Sequence, residues 1–345
     1  MGMPAAAYLH TGQIECRDAR GRPVGCARSG QDAELRRGRS WQPQQRFRVQ
    51  GETVLDAVTG LSWMRDAGIG EFPNTWQEAL DFVAQLNRER ALGQTDWRLP
   101  NRRELRSLIS HQTCKPALPQ PHPFQNLFQG WYWSSTTAVI SPAHAWYVDM
   151  AGGRMFYGGK DQSFMVWPVR GLSQRLPVTG QRACFDAQGR VRDCSGSGQD
   201  GAVCAGRAWP EPRFAGTEEG ALDRLTGLCW HSCADLAGSE VDWCAALDSI
   251  EMLNQGAGQR LWRLPNINEL ESLVDCSRSR PALAAAPELF DWLGTVYWSS
   301  TTSMYEPDWA WALYLDKGAV GVGHKLQAAF SVWPVRDAPA GWEAR

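Results

Sequence analysis

Lysine is nearly absent from this 345-residue chain, with 4 Lys against 31 Arg. A strong charge of either sign is missing too: the formal net charge is −2, which argues against a nucleic-acid binder by charge. No run of about 18 apolar residues occurs, so a transmembrane helix is not expected. Residues 1–8 are too short for a secretory leader and lack its charged n-region. The chain contains no G-x-S-x-G, no H-E-x-x-H and no phosphate-binding loop, so no hydrolase or nucleotide-binding motif is marked. Apolar residues at 43% and charged residues at 21% rule out intrinsic disorder.

What is present is tryptophan (18), cysteine (10), glycine (34) and proline (20), in a length that suits about two domains. The charge is unevenly spread. Residues 1–176 hold 21 basic and 15 acidic residues, whereas residues 177–345 hold 14 and 22. Drift between two surfaces explains this; the alternative is that the halves attract each other or neighbouring molecules.

Internal repetition settles the organisation. Thr11-Gly12-Gln13 returns as Thr179-Gly180-Gln181, and Ser29-Gly-Gln-Asp32 as Ser197-Gly-Gln-Asp200. Thr59-Gly-Leu-x-Trp63 returns as Thr226-Gly-Leu-x-Trp230, and Trp97-Arg-Leu-Pro-Asn101 as Trp262-Arg-Leu-Pro-Asn266. Tyr132-Trp-Ser-Ser-Thr-Thr137 returns as Tyr297-Trp-Ser-Ser-Thr-Thr302, and Val166-Trp-Pro-Val-Arg170 as Val332-Trp-Pro-Val-Arg336. The expected domains are residues 11–171, with an N-terminal hairpin over 11–48, and residues 179–336, with a hairpin over 179–214. What the copies share is expected to be fold, and where they differ is the place to look for function.

Within copy one, Thr75-Trp-Gln-Glu78 is a capping box. Apolar residues at Trp76, Ala79, Leu80, Val83 and Leu86 then predict a helix ending near Asn87. Pro100 and Asn101 set the start of a second helix, expected over residues 104–110. Strands are expected at 55–64, 131–136, 145–150, 154–157 and 164–170. Each domain is therefore expected to be α+β, two helices followed by a twisted antiparallel sheet.

Cys16 and Cys26 bracket a glycine turn, and Cys184 and Cys194 repeat the spacing. A disulfide-closed hairpin in each copy, and an oxidising compartment, follow from this. Copy two also carries Cys229, Cys233 and Cys244, too loosely spaced for a zinc site. A Cys233–Cys244 bridge is the expectation. The sequence does not pair Cys114, Cys204, Cys229 or Cys276.

Together, Gly60-Leu-Ser-Trp63, Trp97-Arg-Leu-Pro100, Glu104-Leu105, Tyr132-Trp-Ser-Ser135 and Val166-Trp-Pro-Val-Arg170 resemble the Lcl C-terminal domain family in both copies. That family is named after a bacterial collagen-like adhesin. The Arg-Leu-Pro-x-x-x-Glu-Leu segment is also distantly similar to C-type lectin-like domains and formylglycine-generating enzymes. The resemblance implies two tandem C-type lectin-like domains. The sheets beginning at Tyr132 and Tyr297 contain no cysteine, so the formylglycine-generating activity is not carried over. Asp149 and Asp161, or Asp308 and Asp316, could serve as glycosidase carboxylates, but acidic residues on strand loops are ordinarily just solvated. Of six histidines, none recurs at an equivalent position in the other copy. No enzyme, cofactor or metal is expected; Glu306-Pro307-Asp308 is only a near miss to the calcium triplet of true lectins.

Recognition is the alternative use of such a fold, through aromatic faces beside charge. The candidates are His144, Tyr147, Arg154, Tyr157 and Lys160 in copy one, and Tyr305, Trp309, Lys317 and Lys325 in copy two. Either they are ordinary half-buried strand residues or they line two different ligand sites. Trp146 and Trp311 align and are expected in the core. The resemblance makes sulfated glycans a candidate ligand, with Arg154 and Lys160 as grips beside Tyr157. The sequence thus points to a secreted or cell-surface recognition or adhesion protein, with the periplasm also open. Its partner would be a glycan or protein at the cell surface. The competing expectation is a structural subunit of an appendage or surface layer, self-associating through domain contacts.

Overall fold

Cys16 and Cys26 are bonded, as the spacing predicts, and close the antiparallel hairpin of β1 (Cys16–Arg17) and β2 (Pro23–Val24). The computed structural model describes residues 8–257, 262–284 and 287–338. After the hairpin comes the single turn α1 (Asp32–Leu35), which Arg36 ends in the left-handed conformation.

Copy one then runs α2 (Pro43–Arg46), β3 (Phe47–Gln50), β4 (Thr53–Asp56), β5 (Ser62–Met64), α3 (Trp76–Arg88), α4 (Arg102–Ser107), β6 (Trp131–Thr137), β7 (His144–Asp149), β8 (Met155–Gly159) and β9 (Val169–Arg170). Strands β3, β4, β5 and β9 form one antiparallel sheet in that order. Strands β6, β7 and β8 pair antiparallel in turn. The expected strand over 55–64 is two strands. The break falls where the Asp56 carboxylate accepts the amide of Val58 and the fork of Arg46. Of the expected strand over 164–170, only its end is a strand; Phe164 and Met165 make isolated bridges.

Helix α3 starts at its expected capping box, whereas the helix expected over 104–110 runs from Arg102 to Ser107, directly after its Asn101 cap. The Thr75 hydroxyl accepts the Glu78 amide, and the Glu78 carboxylate accepts the Thr75 amide. Asn101 and Glu104 make the same reciprocal cap for α4. The apolar face of α3 is buried with Trp97, Leu99, Trp133, Phe164 and Val166. Trp97 is 2% exposed, and its indole donates to the Ala91 carbonyl at 3.0 Å. Arg98 reaches both Glu104 carboxylate oxygens and the Gly171 carbonyl.

The second hairpin, β10 (Cys184–Phe185) with β11 (Val191–Arg192), holds the Cys184–Cys194 bond and leads to α5 (Asp200–Val203). Copy two follows the same plan: β12 (Phe214–Thr217), β13 (Gly220–Asp223), β14 (Leu228–His231), α6 (Trp243–Ala257), α7 (Ile267–Ser272), β15 (Val296–Thr302), β16 (Trp309–Tyr314), β17 (Ala319–His324) and β18 (Val335–Asp337). Buried forks repeat as well. Arg46 grips Asp56 and the Ser107 carbonyl, and Arg213 grips Asp223 and the Ser272 carbonyl. A planar guanidinium makes such paired bonds and an ammonium cannot, which accounts for part of the Arg bias.

The two units of the molecule are not drawn along the repeat. Among the described residues, one unit takes in 8–40, 209–274 and 280–338, and the other takes in 41–208 and 275–279. Each unit therefore joins the hairpin segment of one copy to the domain of the other. This differs from the expected partition at 11–171 and 179–336, in which hairpins 11–48 and 179–214 stay with the domains that follow them.

Candidate functional site

The hairpins are held by polar side chains that the strands place at one edge of each domain. In the unit containing copy two, the Gln13 amide bonds both sides of the Thr302 backbone: Nε2 donates to its carbonyl at 2.8 Å and Oε1 accepts its amide at 3.0 Å. The Thr301 hydroxyl donates to Asp32 Oδ2 at 2.7 Å. Lys325 is fully buried, and its Nζ donates to the carbonyls of Arg17 and Asp18 and to the Thr302 hydroxyl, 4.2 Å from the Trp243 ring centre. The other unit repeats these contacts apart from the lysine bond to the strand hydroxyl. Gln181 bonds the Thr137 backbone, Thr136 donates to Asp200, and Lys160 donates to the carbonyls of Phe185 and Asp186 over the Trp76 ring.

Burial decides the charge state of these groups. Desolvation pushes the Asp32 carboxyl up to about 7 against the pull of the Thr301 and Thr11 hydroxyls, and Asp200 up to about 6. It also pulls Lys160 and Lys325 down to about 7. Lys160 and Lys325 are therefore hairpin clamps. The expectation that they face a ligand is corrected: Lys160 is 2% exposed and Lys325 is 0% exposed.

The hairpin tips need glycine. Gly21 has φ +77° with the Asp308 amide against it, and Gly189 has φ +79° with the Ala143 amide against it. A Cβ at either position would strike backbone. Each tip thus lies against the loop that leads into the first candidate residue of its sheet, Trp309 in one unit and His144 in the other.

In the copy-one domain the structure separates the remaining candidates. His144 bonds the Ser141 hydroxyl through Nδ1 at 2.8 Å, and its ring meets the Tyr157 ring at 5.8 Å. Tyr157 also meets Trp146 edge-on at 5.2 Å. Trp146 is in the core as expected, with the Arg102 guanidinium 4.0 Å from its ring centre. Tyr147, next along β7, faces the other side of the ribbon. Arg154 sits at the β7–β8 turn, where its carbonyl accepts the Asp149 amide. The expected grouping of Arg154 and Lys160 around Tyr157 is not formed, because Lys160 turns inward to the hairpin.

Tyr147 instead joins a surface the sequence reading missed. Trp131 is 47% exposed and stacks on Tyr147 with ring centres 5.3 Å apart and planes 30° apart. Phe164 backs both rings, at 5.1 Å from Trp131 and 4.9 Å from Tyr147. Burial, helped by nearby Asp149, raises the Tyr147 hydroxyl above its usual value. In copy two the aligned positions hold Val296 and Ala312, so this platform belongs to one copy alone. That difference beside the shared Tyr-Trp-Ser-Ser strand was the signal available in the sequence.

In the copy-two domain, Trp309 on β16 and His324 on β17 lie directly opposite, with ring centres 5.5 Å apart. His324 also approaches Asp308 at 3.5 Å. Tyr305 is 41% exposed on the loop before β16, and Lys317 at the β16–β17 turn lies 5.0 Å from the Tyr314 ring centre. Trp311 is buried. Asp149 accepts the amides of Ala151 and Gly152 and so caps its own turn.

Cys233 and Cys244 are free thiols, not the expected bridge. Cys244 is exposed in the first turn of α6, while Cys233 follows β14, its amide donating to His231 and its backbone bridged to Asp291. Cys114, Cys204, Cys229 and Cys276 form no disulfide among the described residues either. No described helix is long and apolar enough to cross a membrane. Two disulfides without such a span fit an extracellular or periplasmic protein.

A family model described as the Lcl C-terminal domain matches residues 52–170 and again residues 219–336. The chain belongs to the Lcl C-terminal domain family. Both copies of the family domain carry the two helices and the paired sheets described above, and both disulfide hairpins lie outside the matched residues. No curated protein matches the chain significantly.

Proposed function

We propose that the chain is a secreted or surface-displayed, non-enzymatic recognition protein that binds ligand on the Trp131–Tyr147 platform of its copy-one domain. The supporting observation is a large aromatic ring left 47% exposed and stacked on a second ring, at a position where copy two has only valine and alanine. Half-exposed aromatic faces of this kind stack on the apolar faces of sugar rings. Asp149 lies near enough to act on the Tyr147 hydroxyl, and Lys160 is buried. The ligand class that fits is therefore an uncharged glycan rather than a sulfated one. Membership in a family named for an adhesin, together with disulfides that call for an oxidising compartment, agrees with this reading. The C-type lectin-like likeness of the domains belongs to the same proposal.

The test is a glycan array on the full chain, followed by titration of the best neutral ligand against wild type and Trp131→Ala. The reading expects saturable binding that Trp131→Ala abolishes with little change in thermal unfolding. Binding unaltered by Trp131→Ala contradicts it.

A further inference from the structure

The hairpin segment at residues 8–40 completes a unit to which it is joined by no short stretch of chain. Ser40 leads directly into the other unit, and the chain returns only at Trp209. In the other unit the corresponding segment directly follows the domain it docks on, by way of Ser173, whose hydroxyl donates to the Thr59 carbonyl of that domain at 2.7 Å. The same dock thus accepts its hairpin over two entirely different connections. What specifies docking is the set of contacts, not the tether.

Those contacts are specific. The Gln13 amide satisfies both the donor and the acceptor of Thr302, Asp32 takes the Thr301 hydroxyl, and Lys325 binds two carbonyls at the hairpin tip. The Tyr8 hydroxyl donates to Glu269 at 2.8 Å, and burial together with that carboxylate holds its own proton on well above the ordinary tyrosine range. A hairpin arriving from another molecule presents the same groups to the same dock. When one identical element can be exchanged between copies, the choice between closed and linked forms is set by concentration against the effective concentration of the tether.

We propose that residues 8–40 of one molecule dock on the copy-two domain of a second copy of this chain, joining copies head to tail through the contacts that otherwise close a single molecule. The partner is a second copy because every recognition group is met by a group of this same sequence. The inference does not rest on the glycan reading and survives its failure.

The experiment uses the full chain with a protease-recognition sequence inserted between Ser40 and Trp41. Natural-abundance and heavy-isotope preparations are mixed, concentrated and passed through mild denaturant to open the dock. They are then weighed by native mass spectrometry before and after cleavage. Before cleavage, the expected result is mixed-isotope multiples of the chain, and Gln13→Ala with Asp32→Ala in the same chain removes them. After cleavage, the multiples fall to single-chain mass with the hairpin fragment retained, because the severed peptide was their only covalent route between molecules. The uninterrupted chain, treated in parallel, forms the same multiples and keeps them through protease treatment. Single-chain masses alone before cleavage, in both chains, overturn the proposal. So do multiples that persist once the peptide is cut, since these use another surface.

Discussion

Asp32 Oδ2 accepts a 2.7 Å hydrogen bond from the hydroxyl of Thr301, 269 residues further along the chain. Its repeat, Asp200, accepts one of 2.7 Å from Thr136, 64 residues back. In each case a buried carboxylate of a hairpin segment meets a strand hydroxyl of the other copy's domain. The duplication is thus not two independent beads: each family domain is finished by a hairpin segment that the other copy contributes.

The pH dependence of folding should follow from Asp32. Its folded value is raised to about 7, mainly by burial, above an unfolded value of about 4. A raised value means the folded protein holds this proton more tightly than the unfolded chain. The stabilisation is complete below about pH 4 and is lost as pH rises through about 7. Lys325, pulled down to about 7, works in the window above that, where its share of stability returns as pH rises from 7 toward 10.5. Thermal melts from pH 4 to 7 should therefore show wild type losing stability relative to Asp32→Asn, by at most about 4 kcal/mol. Parallel curves for the two proteins would refute it.

Trp97→Ala and Trp262→Ala should each cost roughly 3–5 kcal/mol, as expected for emptying a large aromatic site in a packed core. Both side chains are buried, at 2% and 6% exposure. Denaturant unfolding checks this; a loss below about 1 kcal/mol would place the motif outside the core.

Thiol titration of the denatured, unreduced protein should find six reactive cysteines, with Cys16, Cys26, Cys184 and Cys194 silent. Ten reactive thiols in protein purified from its native compartment would remove the oxidising-compartment argument.

Much of the fold was legible because local chemistry settles it. The capping box at Thr75, the helix start at Asn101, the α3 face and the cysteine-closed glycine turns depend on neighbours a few residues away. Which domain each hairpin joins was not legible, because most of the contacting groups are the same in both copies. Thr11 and Thr179, Gln13 and Gln181, Asp32 and Asp200, Thr136 and Thr301, and Lys160 and Lys325 are identical pairs. These identical groups offer either hairpin the same bonds; Tyr8, whose aligned position holds Leu176, is a docking contact that the other hairpin segment lacks.

The candidate site was misread for a related reason. Lysine is ordinarily a solvated surface residue, so Lys160 and Lys325 looked like grips. Their one betraying feature is that two of only 4 lysines fall at aligned positions. Trp131 directly precedes a shared motif, and its exposure is set by the fold rather than by any local pattern. The Cys233–Cys244 expectation failed because proximity in sequence does not bring a residue in the first turn of a helix to one that follows a strand.

The pairing of hairpins with domains can be measured directly by a double-mutant cycle in the full chain, with Asp32→Ala and Thr301→Val made singly and together and stability read from unfolding. The structure predicts a coupling of roughly 0.5–3 kcal/mol for residues in contact. It also predicts additivity within about 0.5 kcal/mol for the cycle of Asp32→Ala with Thr136→Val, which share no bond. Coupling of Asp32 to Thr136, with additivity toward Thr301, would show that each hairpin packs on its own copy and would contradict the account.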